Sequence, residues 1–391
     1  MFLFSRIWSR GFGRKPYGTG FIGGTRQVET EREQPEHRVK IGGGRMKALR
    51  LGRGRFFVLV LAVLGLMVLL AGCGQSQEGT ADEEQADKGT TEPLKIGISQ
   101  FVEHPALDAA RNGFVDELRE AGYVEGETVE YIVEYAQADF SVANTVAEKL
   151  ANEGLDMILA IATPSAQAVA KATQGTDLPV LFTAVTDPVA AELVDSMESP
   201  GGNVTGTTDM NPVYEQLELV FEFVKEAKSI GIIYNAGEVN SVVQAEMAKE
   251  AGADLGLKIL EATVSNTSEV KQAAQSFVGK VDAIYVPTDN TVVSALESVI
   301  QVAEENDIPL LVGEGDSVKR GGLATVGLDY YLLGRQTGEM ALRILKGEAK
   351  PAEMPVEKQK EMKLYLNKKA AEAMGVEIPQ DLLEKADELY E

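Results

Sequence analysis

From Leu94 onward, short apolar runs rich in β-formers alternate with amphipathic stretches of helical period. The runs predict strands at 94–99, 129–135, 157–162, 179–185 and 204–208. A second series follows at 229–234, 258–264, 283–287, 310–313 and 324–328. Helical stretches of roughly 12 to 17 residues fill most of the gaps, and strands alternating with helices of that length imply right-handed βαβ units and parallel sheets. The fold class is therefore α/β.

The two series echo one another. Asp156-Met-Ile-Leu-Ala-Ile-Ala-Thr-Pro-Ser leads into an Ala/Val helix, and Asp282-Ala-Ile-Tyr-Val-Pro-Thr-Asp-Asn-Thr does the same. Ile96 to His104 resembles Ile230 to Asn240, each an apolar strand breaking into a polar turn before a helix. Leu178-Pro-Val-Leu-Phe-Thr-Ala-Val-Thr-Asp resembles Ile308-Pro-Leu-Leu-Val-Gly-Glu-Gly-Asp. One such pair is the kind of echo any α/β chain shows by chance. Three in the same order point to two similar lobes, each a doubly wound sheet, facing each other across a cleft. Ligands in open parallel sheets bind beyond the carboxyl ends of the strands, where these polar turns lie.

Ahead of the body the pattern changes. From Met46 a basic stretch precedes an unbroken apolar run over 56–71 and then Gly72-Cys73-Gly74, the parts of a secretory signal peptide. A spanning helix usually needs about 20 apolar residues, so this run is short for a permanent span. Residues 1–45 are Gly- and Arg-rich without hydrophobic period. They read as a start assigned too early, with Met46 the initiator, or as an unusually long basic segment. Residues 74–92 are rich in Gln, Glu, Gly, Thr and Asp, a flexible tether from which the body begins near Pro93.

At 391 residues the chain suits two lobes better than one core, and 44% hydrophobic with 25% charged residues is ordinary for a globular protein. The net charge of −23 hides a split: residues 1–72 hold 13 Lys+Arg against 4 Asp+Glu, leaving 24 basic and 56 acidic residues, a net −32, from Cys73 onward. That balance repels phosphate backbones and argues against a nucleic-acid partner; an acidic surface otherwise serves solubility. The single cysteine, Cys73, excludes a disulfide framework or a Cys-based zinc site within one chain. Of two histidines only His104 lies in the body, which disfavours imidazole metal sites and histidine charge relays.

The exit Leu70-Ala71-Gly72-Cys73 resembles a bacterial lipobox, which implies that Cys73 becomes the lipidated first residue of a membrane-anchored, extracytoplasmic protein. Glu103-His-Pro-Ala-Leu-Asp-Ala-Ala-Arg, Ala162-Thr-Pro-Ser-Ala-Gln, Ala184-Val-Thr-Asp-Pro-Val, Pro200-Gly-Gly-Asn-Val-Thr-Gly and Tyr285-Val-Pro-Thr-Asp-Asn-Thr resemble the tryptophan/tyrosine-type substrate-binding proteins of bacterial ABC importers. The resemblance runs from about Leu94 to the C-terminus. It implies a type I periplasmic-binding-protein fold with about three hinge crossovers, two of them near 206–211 and 325–329, an amino-acid ligand, an importer permease as partner, and no cofactor. By the same analogy the N-lobe comprises 94–210 plus 325–348, and the C-lobe 211–324 plus 349–391.

An amino acid then sets the requirements. Its carboxylate is best met by free N–H groups and hydroxyls at a helix N-terminus, for which Thr163, Ser165, Thr288, Asn290 and Thr291 are candidates; each is equally an ordinary N-cap. Its ammonium needs a buried negative charge, and Asp187, Asp289 and Glu314 all follow apolar strands. Asp289 and Asp187 rank first, because both occupy strand-to-helix turns, although a lone acid there is often a solvated group or a cap. For an aromatic side chain Phe101 and Tyr214 are the ring candidates, unless they are simple core. Gln100, Glu103, His104, Thr186, Asn240 and Asp329 complete the predicted cleft edge.

Other functions fit less well. No P-loop, Gly-x-Ser-x-Gly elbow, dinucleotide fingerprint or metal triad appears. Glu103-His104 remains a conceivable catalytic pair, more often a polar contact or turn. A transcription regulator would need a DNA-binding helix pair where the lipobox and acidic tether stand. A lipoprotein sensing another small solute, such as a sugar or purine, for a different transporter or a membrane receptor stays open as the alternative.

Overall fold

The computed structural model describes residues 92–391. The signal peptide, Cys73 and nearly all of the tether expected above lie outside the described residues.

Strands β1 (Leu94–Gln100), β2 (Val129–Tyr135), β3 (Met157–Ile161), β4 (Val180–Val185) and β5 (Val204–Thr208) form one parallel sheet. Strands β6 (Ser229–Asn235), β7 (Lys258–Val264), β8 (Ala283–Val286), β9 (Leu310–Val312) and β10 (Ala324–Gly327) form a second. Every predicted strand is present with its ends within about one residue. In both sheets the spatial order is second, first, third, fourth, fifth, so the echo between the two halves is one winding used twice. β3, β4, β5, β8 and β9 are buried along their whole length, as sheets covered by helices on both faces require. The edge strands β2 and β7 are partly exposed.

Three short strands escape the sequence pattern. β11 (Glu357–Lys358) joins the first sheet parallel to β5, while β12 (Lys363–Asn367) and β13 (Glu388–Tyr390) extend the second, β12 antiparallel to β10. They redraw the expected lobe boundaries in two places. Residues 325–327, expected in the first lobe, pair with β12 in the second. The stretch 349–358, expected in the second, belongs to the first, where β11 pairs with β5 and Met354 is buried in that core. Sheet membership thus makes the chain pass between lobes three times, at about 209–212, 328–329 and 359–362.

The first lobe is completed from far along the chain. Helix Tyr330–Leu345 lies against helix Pro105–Glu120, and its buried Leu333, Met340 and Ala341 join the core around Ile96, Ile98 and Phe182. Glycines make that approach possible: a Cβ on Gly334 would stand 1.9 Å from the Ala110 carbonyl oxygen, and one on Gly113 2.1 Å from that of Tyr331. Arg335 then clamps the pair, its Nε donating to Glu117 at 2.6 Å and its Nη atoms to Glu120 at 2.8 and 2.7 Å. The second lobe is organised instead by a buried amide. Gln216 Nε2 donates to the carbonyls of Gly313 and Val326, and its Oε1 accepts from the Tyr285 hydroxyl at 2.6 Å.

Candidate functional site

The carboxyl ends of β1 and β4 face those of β6, β8 and β9 across a narrow cavity lined from both lobes. The first lobe contributes His104, Ala106, Leu107, Ala184 and Thr186. The second contributes Asn240, Thr288, Asp289, Asn290, Val293 and Glu314. Asp209 and Tyr330, just after β5 and just past β10, close the cavity where the chain crosses between lobes.

On the first-lobe wall, helix Pro105–Glu120 begins without a side-chain cap, its N-cap position held by His104 and its first residue by Pro105. Ala106 and Leu107 therefore bring first-turn N–H groups to the cavity lining, at the positive end of a 16-residue helix. Burial, helped by the nearby Arg320 guanidinium, pushes the His104 imidazole down to about 3, against a hydrogen bond with Asn290 of the other lobe. The ring is thus neutral near pH 7. Ala184 holds a left-handed φ of 56°, and the β4–β5 register shifts between Phe182 and Val185. Such strain persists where surrounding structure enforces it, commonly at binding sites.

The second-lobe wall is acidic. Asp289 is fully buried and caps helix Asn290–Ser294, accepting from Val292 N at 2.7 Å and from Asn235 N at 2.5 Å. Glu314 caps helix Gly315–Arg320 by accepting from the Ser317 amide and hydroxyl. Burial raises both carboxyls to about 7, with charge repulsion from Glu238 acting on Asp289 and from Asp316 on Glu314. Glu238, buried behind them, accepts from Asn290 Nδ2 at 2.6 Å and Thr291 Oγ1 at 2.7 Å. Asp209 receives the Tyr330 hydroxyl at 2.5 Å and the Thr186 hydroxyl at 3.0 Å, while burial raises its carboxyl. No lysine or arginine lines the cavity. Among the described residues no group of three or more His, Cys, Asp or Glu is placed to hold a metal ion.

Of the predicted edge, the structure brings together His104, Thr186, Asn240, Thr288, Asp289, Asn290 and Glu314. The others do other work. Asp187, ranked with Asp289, folds onto its own turn and accepts from Val189 N and Ala190 N. Phe101 is core, its ring 5.3 Å from that of Phe140, and Tyr214 is an exposed residue away from the lining. Gln100 is spent on Val102, Asp108 and Arg111. Thr163 and Ser165 are buried beside β3, Ser165 accepting from Ser99, and neither lines the cavity. Thr291 is bound to Glu238, and Asp329 caps helix Tyr330–Leu345 and pairs with Lys363 at 3.0 Å. Glu103 is exposed at a separate, open depression shared with Gln137, Thr267 and Ser294. Sequence reasoning missed Asp209 and Tyr330, although the crossovers beside them were expected. It also missed Ala106 and Leu107, whose contribution is backbone, and Ala184 and Val293.

A family model described as ABC transporter substrate binding protein matches residues 95–390. The chain is 41% identical over 320 residues, 82% of its length and 92% of the relative's, to a tyrosine-binding protein of Clostridioides difficile strain R20291. Among solved structures it is similar to an ABC domain in complex with L-Trp from Streptococcus pneumoniae, at 38% identity and a TM-score of 0.73, covering 76% of this chain and 99% of that one. It also matches a ligand-free, open substrate-binding protein with adhesive properties from Clostridium difficile, at 44% identity over the same shares but a TM-score of only 0.58.

Proposed function

The chain belongs to the family of ABC transporter substrate-binding proteins, and on that footing we propose that it captures an aromatic amino acid between its lobes and performs no chemistry on it. One observation carries the reading: a single cavity offers uncapped helix N–H groups from one lobe and buried carboxylates from the other. An amino-acid zwitterion has the complementary pair of charges. Its carboxylate belongs at Ala106 and Leu107, where the helix dipole favours anions. Its ammonium belongs beside Asp289, Glu314 and Asp209, which otherwise bury negative charge without a cationic partner. Ala184 and Val293 supply apolar wall for a ring.

The tyrosine and L-Trp named for the two relatives support the aromatic class. The arrangement of the lobes supports capture by closure. The chain superposes better on the L-Trp complex than on the open, ligand-free protein, although the latter is more similar in sequence, which fits a closed clamp. Hinge bending then falls at the three interlobe crossovers. Cys73 anchors the chain to the outer face of the membrane through lipid, with the importer permease as its docking partner.

Isothermal calorimetry of the detergent-extracted chain against L-Tyr, L-Trp, sugars and purines tests the ligand class. We expect heat from the two amino acids alone; binding only of a sugar or purine would leave the family standing and remove the substrate. The intact mass of the same preparation tests the anchor: an unmodified N-terminus ahead of Cys73 would refute lipidation there.

A further inference from the structure

Among the described residues five buried side-chain atoms lack a hydrogen-bond partner, and two of them, His104 Nδ1 and Asn240 Oδ1, belong to residues lining the cavity. Leaving a buried acceptor unmet is costly, so each points to something the ligand supplies. The Asn240 amide has a fixed orientation. Its Nδ2 donates to the Thr288 carbonyl at 3.0 Å, to Ser241 Oγ at 3.2 Å and to the Glu238 carboxylate at 3.3 Å. Turning the amide over would set its oxygen against a carbonyl and a carboxylate. Oδ1 is therefore the atom left open, on a residue only 3% exposed.

Three carboxylates, Asp209, Asp289 and Glu314, already line the cavity with more acceptor oxygens than the three donors of a ligand ammonium can use. His104 stands at the helix start assigned to the ligand carboxylate. Asn240, on the facing lobe, is a neutral acceptor in addition to these carboxylates. With the ammonium supplied by the carboxylates, the donor left for this oxygen is one carried on the ligand's side chain. We propose that Asn240 Oδ1 accepts a hydrogen bond from the ligand's side chain, a phenol O–H or an indole N–H, and is the residue that selects tyrosine and tryptophan over phenylalanine. The assignment rests on the aromatic amino-acid reading above and adds to it a requirement for a ring-borne donor.

A phenylalanine ring in the same place leaves Oδ1 unpaired and dry, which costs about 10- to 100-fold in affinity. Calorimetry with L-Tyr, L-Trp and L-Phe on the detergent-extracted full chain, wild type and Asn240→Leu, reads this directly. We expect the wild type to favour Tyr and Trp over Phe by about 10- to 100-fold. Asn240→Leu should bring Tyr and Trp down to the Phe level while Phe changes by less than about twofold. Equal wild-type affinity for all three overturns the assignment, as does a variant that weakens all three alike, which would place Asn240 on the shared α-amino or α-carboxyl group. Absence of binding by every aromatic amino acid refutes the ligand class itself and is distinct from each of these results.

Discussion

The two lobes share one winding and differ at equivalent corners of it. After its first strand, the first lobe places His104 at the N-cap of the following helix, and the second lobe places Glu238 there. After the third strand the pair is Ala162 and Asp289. In the first lobe both helix starts lack a side-chain cap. In the second, Asp289 and Glu314 cap the helices that follow β8 and β9, and Glu238 reaches across to Asn290 and Thr291. Toward the cavity the first lobe therefore presents the uncapped start of helix Pro105–Glu120 and the second presents carboxylates, although the start of helix Val239–Leu255 also lacks a side-chain cap. A repeated fold has been polarised by the choice of capping residue, and the direction of that polarity fits a zwitterion lying across the cleft.

The largest way to break this contrast is to give the first lobe a cap like those of the second. His104→Asp offers the start of helix Pro105–Glu120 a carboxylate and puts a negative charge where the ligand carboxylate is to lie. Affinity for L-Tyr should fall by more than about 100-fold, since like charges then meet in a buried site. The melting temperature of the ligand-free protein should hold or rise, because the helix gains its missing cap. Calorimetric titration with a parallel thermal melt checks both; retained affinity would mean that the carboxylate lies elsewhere.

A smaller effect comes from the acids opposite. Asp289→Asn and Glu314→Gln each keep the shape and remove the charge, and each should cost about 10- to 100-fold in affinity. The same carboxyls give a pH signature. With burial holding both near 7, the folded protein binds more protons than the unfolded chain between about pH 4 and 7, so the stability they contribute is lost as pH rises through that window. An ammonium beside them favours the ionised forms and expels protons. Affinity should therefore climb from pH 5 to pH 7, by up to about tenfold per pH unit for each proton released. Titrations in buffers of different ionisation heat count those protons; a flat profile, or one unchanged in Glu314→Gln, would separate these acids from the ammonium.

How much of this contrast was readable beforehand follows from where each signal resides. Strands covered on both faces announce themselves as apolar runs, and the repeated order of polar turns exposed the double winding. The acids of the second lobe were legible because a carboxylate after an apolar strand is conspicuous. Asp187 shows the limit of that sign: it too follows a strand, but Val189 N and Ala190 N lie within its reach and consume it. Ala106 and Leu107 act through backbone N–H groups that no side chain advertises. Asp209 and Tyr330 are joined by a hydrogen bond across 121 positions of sequence, a distance over which local pattern carries no information. β11 pairs over two residues only, too few to show a period.

The smallest perturbation tests whether the hinge shares in recognition or leaves it to the walls. Gln359, in the third crossover, donates to the Asp329 carbonyl at 2.6 Å and accepts from the Asp329 amide at 3.3 Å, strapping it to the second crossover. Gln359→Ala removes two neutral hydrogen bonds at a partly buried site, a loss of about 1 kcal/mol or less each, and shifts the balance between open and closed forms. If affinity is set by the polarity of the walls, that shift taxes every ligand by the same factor, because all require the closed form. Dissociation constants for L-Tyr, L-Trp and L-Phe should then move together, by about two- to fivefold, with their ratios preserved. A change in the ratios would mean that the crossovers adjust the cavity to the side chain, and that the contrast between the lobes accounts for only part of the selection.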